Sequence, residues 1–239
     1  MTKVYLPPVA LRVFFLFCIV DAGFIAAFAI GHDAGLPEAF WLGRDSGWPE
    51  RFNFLKWAII AALCTGVAVR WRNPLFFGLA LAALVLLYDD SRQLHERLPV
   101  LILDVTGLRR LGLPGDHMLT SVAVFGVIGL VCAALVALSL RLGPAQNPES
   151  ARLVLTDTIR LVGLLAFFGI GVDLVHGIVD KLLPVASLLL TVLEEGGEMV
   201  SLSLLLSYFA RQAMLPERTG RELAGRPASR AKTRPTDVR

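Results

Sequence analysis

The sequence predicts an all-α fold, a polytopic membrane helical bundle of about six transmembrane helices with both termini cytoplasmic. Hydrophobic residues make up 55% of the 239 positions, whereas charged residues make up 18%. Several apolar stretches reach or approach the roughly 20 residues that cross a bilayer at 1.5 Å per residue. Lysines and arginines gather in alternate connections, as they do on the cytoplasmic side of membrane proteins. A soluble domain of this size needs fewer apolar side chains, so the excess points to lipid as solvent.

The first helix is expected over 8–30. Lys3 and Arg12 precede the run from Val13 to Ile30, which is longer than the apolar core of a usual signal peptide, so a retained span is expected. The second is placed at 54–71 and the third at 74–98. The third is continued through Asp89-Asp90-Ser91-Arg92-Gln93-Leu94-His95-Glu96-Arg97 because Pro99 is the first helix breaker. The segment from Leu98 to Gly115 reads as a short amphipathic or re-entrant piece in the interface. The fourth helix is expected at 118–142, with Asp116 and His117 capping or preceding it. The fifth and sixth, at 154–182 and 184–210, are joined through Leu183 and Pro184, which makes them antiparallel neighbours.

Residues 1–215 thus form one membrane domain, and 216–239 form a basic, disordered cytoplasmic tail with too little apolar surface to offset ordering entropy. Arg70 and Arg72, Arg141 and Arg152, and the tail share one side, leaving 31–53 and 99–117 outside. The tail's charge suits anionic lipid rather than nucleic acid. Cys18, Cys64 and Cys132 are scattered through apolar runs and read as small hydrophobes, not as a disulfide framework. Neither a phosphate-cradling glycine loop nor a serine-nucleophile elbow is present.

Ionisable groups inside a span cost roughly 2.5–3.5 kcal/mol each near its centre, so a group of them asks for an explanation. The third helix carries Asp89, Asp90, Arg92, His95 and Glu96; the fifth carries Asp173, His176 and Asp180; the sixth carries Glu194, Glu195 and Glu198. Counted from the expected helix ends, all three clusters fall in the outer half of the bilayer, with Asp21 near the inner edge of that layer. Asp173, His176 and Asp180 form a stripe about 60° wide, Asp89, Arg92 and Glu96 repeat that spacing, and the three glutamates fall within about 100°. His95 is offset from the Asp89 face. Asp21, alone on its helix, reads as an interhelical hydrogen-bond partner rather than a ligand. Gly196 and Gly197 serve either tight packing or a bend at the site.

The eight carboxylates of these three helices cannot all stay ionised at close range without cations or protons, and Arg92, Arg97 and Lys181 offset only part of the charge. Carboxylates mixed with imidazole suit a divalent metal such as Zn, Fe or Mn better than calcium. The expected metal ligands are Asp89, Glu96, Asp173, His176, Glu195 and Glu198, with Glu194 as catalytic general base. Asp173-x-x-His176 and Glu195-x-x-Glu198 have spacings similar to those of di-metal helical bundles.

The segments Asp89-Asp90-Ser91-Arg92-Gln93-Leu94-His95-Glu96 and Glu194-Glu195-Gly196-Gly197-Glu198-Met199 resemble uncharacterised bacterial multi-pass membrane proteins. Those carry an Asp-acid-x4-His-Glu and a Glu-Glu-x2-Glu-Met motif. The resemblance implies a shared polar site in the cytoplasmic membrane of a bacterium, and no reaction.

Three functional readings follow. The first is a metal-dependent enzyme, lipid-modifying or hydrolytic, whose substrate is a lipid and in which the ion activates water or oxygen. The second is a proton- or cation-coupled transporter, with Gly196-Gly197 breaking the sixth helix. The third is a non-catalytic membrane subunit or scaffold. No oligomeric state follows from the residues.

Overall fold

The computed structural model describes residues 8–31, 34–107, 116–143, 148–179 and 187–215. The expected tail at 216–239, Asp180, and the connection through Leu183 and Pro184 lie outside the described residues, as does 108–115 of the interfacial piece. Among the described residues all regular structure is helical.

Helix α1 spans Pro8–Gly31. Helix α2 spans Trp48–Trp71 and starts earlier than the expected edge at 54. The cause is local: Gly47 is extended, Pro49 occupies the first turn, where its missing N–H is no loss, and Glu50 sits against the positive end of the helix dipole. Arg72 turns the chain in the left-handed region (φ 49°). The Asn73 side chain then accepts the Leu75 N–H at 3.0 Å to start helix α3, Pro74–Arg92.

The expectation of one helix over 74–98 is corrected here. The chain breaks at Gln93, which adopts φ 53° and caps α3, and a separate helix α4, Leu94–Thr106, follows with Pro99 inside it. The break is stabilised from the preceding turn, where the Asp89 carboxylate accepts the His95 backbone N–H at 3.0 Å. A helix start leaves such amides without an intrahelical carbonyl, so an acid poised beside one outweighs continued helix. Gly107, at φ 69°, ends α4.

Helix α5 spans Asp116–Leu142. Helix α6, Pro148–Ala166, passes through a π-helical section, Phe167–Val172, into α7, Asp173–Val179. Helix α8 spans Ser187–Ala213 without interruption. Gly196 and Gly197 therefore serve packing, not bending. A Cβ at Gly196 would crowd Ile25, and one at Gly197 would overlap the Phe168 ring. The irregular turn is in the facing helix instead.

Helix α8 packs against α1, α2, α6 and the π-helical section; α2 pairs with α3, α3 with α5, and α5 with α4. Phe28 clusters with Met199, whereas Val13 meets the cluster holding Leu205 and Phe209, so α1 and α8 are antiparallel. The main core joins Trp57, Cys64 and Trp71 of α2, Phe76 and Leu79 of α3, and Leu202, Leu206 and Phe209 of α8. Large apolar side chains also face outward: Phe15, Leu16 and Ile19 on α1, Val127 and Leu130 on α5, Ile159 on α6 and Phe167 at the start of the π-helical section. That distribution suits hydrocarbon surroundings. Five helical stretches are long and apolar enough to cross a membrane: Ala10–Gly31, Trp48–Trp71, Pro74–Arg92, Met118–Leu142 and Glu149–His176.

A buried ionic group joins three of the helices. Lys56 and Asp21 are both fully buried, and Lys56 Nζ donates to Asp21 Oδ1 at 2.6 Å, to Asn53 Oδ1 at 3.0 Å and to the Met199 carbonyl at 2.9 Å. Ser203 Oγ donates to the other Asp21 oxygen at 2.6 Å. Asp21 is thus the interhelical partner that its isolation on α1 suggested, and it ties α1 to α2 and α8.

Lys56→Met leaves Asp21 as an uncompensated buried charge and is expected to destabilise the protein by about 3–5 kcal/mol, whereas adding Asp21→Leu recovers most of the loss. Thermal unfolding in detergent measures both, and equal melting of Lys56→Met and wild type would show that the pair carries no weight. Gly197→Ala is expected to cost about 1–3 kcal/mol through overpacking. Phe168→Ala in the same background should relieve it, and strictly additive effects would mean that the two residues do not meet.

Candidate functional site

The ends of the helices that lie near α4 enclose a cavity of about 480 Å³. The 34–47 segment contributes Leu42, Gly43, Arg44 and Asp45; the first turns of α2 contribute Pro49, Glu50 and Asn53; the last turn of α3 contributes Asp90. His95 and Glu96 come from the start of α4, Ser121 and Phe125 from α5, and Gly169 and Asp173 from the π-helical section and α7. Glu194, Glu195, Glu198 and Met199 of α8 complete it. Four acid-bearing segments far apart in sequence, 45–50, 90–96, Asp173 and 194–198, therefore meet at one end of the bundle.

Of the expected metal ligands, Glu96, Asp173, Glu195 and Glu198 line this cavity together with Glu194. Asp89 and His176 do not. Asp89 is buried, and its carboxylate is occupied by α4: Oδ1 takes the His95 amide, and Oδ2 lies 3.2 Å from His95 Nδ1. The break at Gln93 explains the change, because the stripe Asp89, Arg92, Glu96 holds only on an unbroken helix. Asp90 faces the cavity instead, held by the Trp57 indole N–H at 2.8 Å. His176 is turned to the seam between α7 and α8, where Nδ1 lies 2.7 Å from Glu194 Oε2 and Nε2 lies 3.1 Å from Ser187 Oγ.

Sequence reasoning missed Arg44, Asp45, Glu50 and Asn53, since 31–53 read as an outward loop. The pattern Gly47-Trp48-Pro49-Glu50 signals a helix start and would have brought Glu50 and Asn53 onto α2. Glu50 accepts the Ser46 backbone N–H, which anchors the loop to α2.

Among the described residues, eight carboxylates line the cavity against one arginine and one histidine: Asp45, Glu50, Asp90, Glu96, Asp173, Glu194, Glu195 and Glu198, with Arg44 and His95. Glu195 and Glu198 make no hydrogen bond among the described residues. The Glu198 carboxylate lies against Gly169, where a Cβ would overlap it, and Gly43 passes close to Glu195. Gly169 is thus the glycine that lets backbone approach an acid. Asp89, Asp90 and His95 each offer a ligand atom within 4.8 Å of the other two.

His95 stacks on Phe125 at 4.9 Å, and its Nε2 lies 3.7 Å from Glu96 Oε1. Helix α4 is too short to span a bilayer. There, burial works against the charge on His95, but the Asp89 hydrogen bond and the charges of Asp89, Asp90 and Glu96 outweigh it and raise the imidazole above its ordinary pKa. Burial raises the Glu96 carboxyl above its ordinary value, opposed by His95.

No curated protein and no solved structure matches the chain. One family model, described as a domain of unknown function (DUF8692), matches residues 14–212, and the chain belongs to that family.

Proposed function

We propose that the chain is an integral membrane protein of six spans, α8 being the sixth, whose acidic cavity binds a divalent cation, Zn, Fe or Mn, in support of hydrolytic or lipid-modifying chemistry. One observation carries this reading: among the described residues, eight carboxylates line one cavity with a single imidazole and a single guanidinium. Like charges so placed are tolerated only with protons or bound cations.

The proposed ligands are His95 Nε2 and Glu96 from α4, Asp90 from α3, and Glu195 and Glu198 from α8, with Asp173 at the wall. Asp89 changes role: it holds His95 Nδ1, which is the outer-shell partner that a metal-binding histidine uses to fix its ring and tautomer. The 3.7 Å between His95 Nε2 and Glu96 Oε1 suits two ligands of one ion. A bound ion would polarise water or a substrate oxygen. Arg70, Arg72, Arg141 and Arg211 lie at the helix ends away from the cavity, which supports an outward-facing site by the positive-inside rule.

Transport fits less well. Below the cavity floor stands the satisfied Asp21–Lys56–Ser203 group, and beyond it Cys64, Val67, Leu202, Leu205 and Phe209 close the bundle with apolar contacts.

Protein purified without chelators is expected to carry near-stoichiometric Zn, Fe or Mn by elemental analysis. His95→Ala and Glu195→Ala should lose it, His176→Ala should keep it, and Asp89→Asn should weaken affinity roughly 10–100-fold. Wild-type protein that stays metal-free after incubation with all three ions rejects the proposal.

A further inference from the structure

At the edge of the cavity, where Glu194 lines its wall, three side chains form a relay of a different kind. His176 Nδ1 lies 2.7 Å from Glu194 Oε2, and His176 Nε2 lies 3.1 Å from Ser187 Oγ. An ionised carboxylate can only accept, so the Nδ1 proton belongs to the Glu194 bond, and Nε2 is left as the acceptor for the Ser187 hydroxyl. Ser187 and Glu194 are seven residues apart on α8, hence within about 20° of one another and two turns apart, with His176 of α7 bridging them. We propose that Ser187, His176 and Glu194 form a nucleophile, base and orienting acid for acyl transfer from a long-chain ester.

The roles follow from geometry. A hydroxyl becomes an effective nucleophile when a base within hydrogen-bond reach takes its proton and a third group holds that base. Both conditions are met here, in an order that recurs on unrelated folds. Ser187 and His176 are partly exposed, and the His176 side chain keeps 20% of its surface. On the same two helices Val175, Ile178, Leu189 and Leu193 expose apolar side chains to the surroundings, so a ligand that reaches this seam from lipid is an acyl chain. Ser187 Oγ attacks the ester carbonyl carbon as its proton passes to His176 Nε2. The C–O bond to the alcohol then breaks, and the alcohol leaves with that proton. Water, giving a proton to His176 Nε2, then attacks the acyl carbon, and the C–O bond to Ser187 Oγ breaks as that proton returns to Oγ, releasing the fatty acid. Glu194 is a positioning residue. The inference stands apart from the cation reading, because neither Ser187 nor His176 is among the proposed ligands.

The test uses the full chain in lipid nanodiscs with a long-alkyl fluorophosphonate, which bonds phosphorus to a serine Oγ as fluoride leaves. Peptide mass spectrometry is expected to find the adduct on Ser187, with EDTA present or absent, and Ser187→Ala should abolish it. His176→Gln should slow labelling by roughly 100-fold or more. Glu194→Gln should slow it as well, with Glu194→Asp recovering part of the rate, a rescue that a purely structural glutamate would not give. Absence of the Ser187 adduct in folded wild-type protein overturns the proposal, as does equal labelling after heat denaturation or an unchanged rate in a folded His176→Gln variant.

Discussion

The architecture depends on one buried ion pair. Lys56 directs its ammonium to three oxygens, supplied by Asp21 of α1, Asn53 of its own helix and the Met199 carbonyl of α8. Removing both charges from water costs several kcal/mol per ion, and only this dense set of partners offsets it. Because each contact is held at hydrogen-bond length, the pair fixes how α1, α2 and α8 slide against one another. Asn53 and Met199 also line the cavity, so the same contacts set its floor. The ionic group divides the bundle into an apolar half, with Leu202, Leu205 and Phe209, and a polar half.

Above that floor the logic reverses. Asp21 and Lys56 are matched one to one, whereas the cavity sets many acids against Arg44 and His95. A structural network would be expected to close on itself, with each buried oxygen answered by a donor. Asp90 is answered by Trp57 and Glu50 by the Ser46 amide, but Glu195 and Glu198 find no such donor among the described residues. The acids that converge from α8 are the ones left for a ligand, which is why the cation reading rests on them more than on Asp89.

Much of this was legible in the sequence. Apolar run lengths gave the long helices, and the rule that charge inside a span needs a reason singled out Glu194, Glu195 and Glu198, all of which line the cavity. The failures were local. Nothing at Gln93 announces a left-handed residue, so the pattern alone continues α3 toward Pro99 and points Asp89 rather than Asp90 inward. Lys56 went unread because an edge at 54 placed it near the end of its helix. With α2 starting at Trp48, Lys56 lies well inside, and the argument that flagged Asp21 would have demanded its partner. The π-helical section left no trace beyond two glycines, Gly169 and Gly171, in an apolar run.

The seam between α7 and α8 shows how one helix serves two polar groups. Successive residues on a helix diverge by 100°, so Glu194 and Glu195, though both line the cavity, reach toward different elements. Glu194 meets His176 across the seam, and Glu195 comes close to Gly43 of the loop over the cavity. Glu198, one turn on, lies against Gly169 of the π-helical section. A π turn adds a residue to a helix and is retained where the altered register places a side chain usefully. Here it directly precedes Asp173, which lines the cavity, while His176, three residues later, reaches α8. The adjacent acids of α8 and the irregular turn facing them are therefore two parts of one solution: carboxylates close in sequence are separated in direction and given different partners.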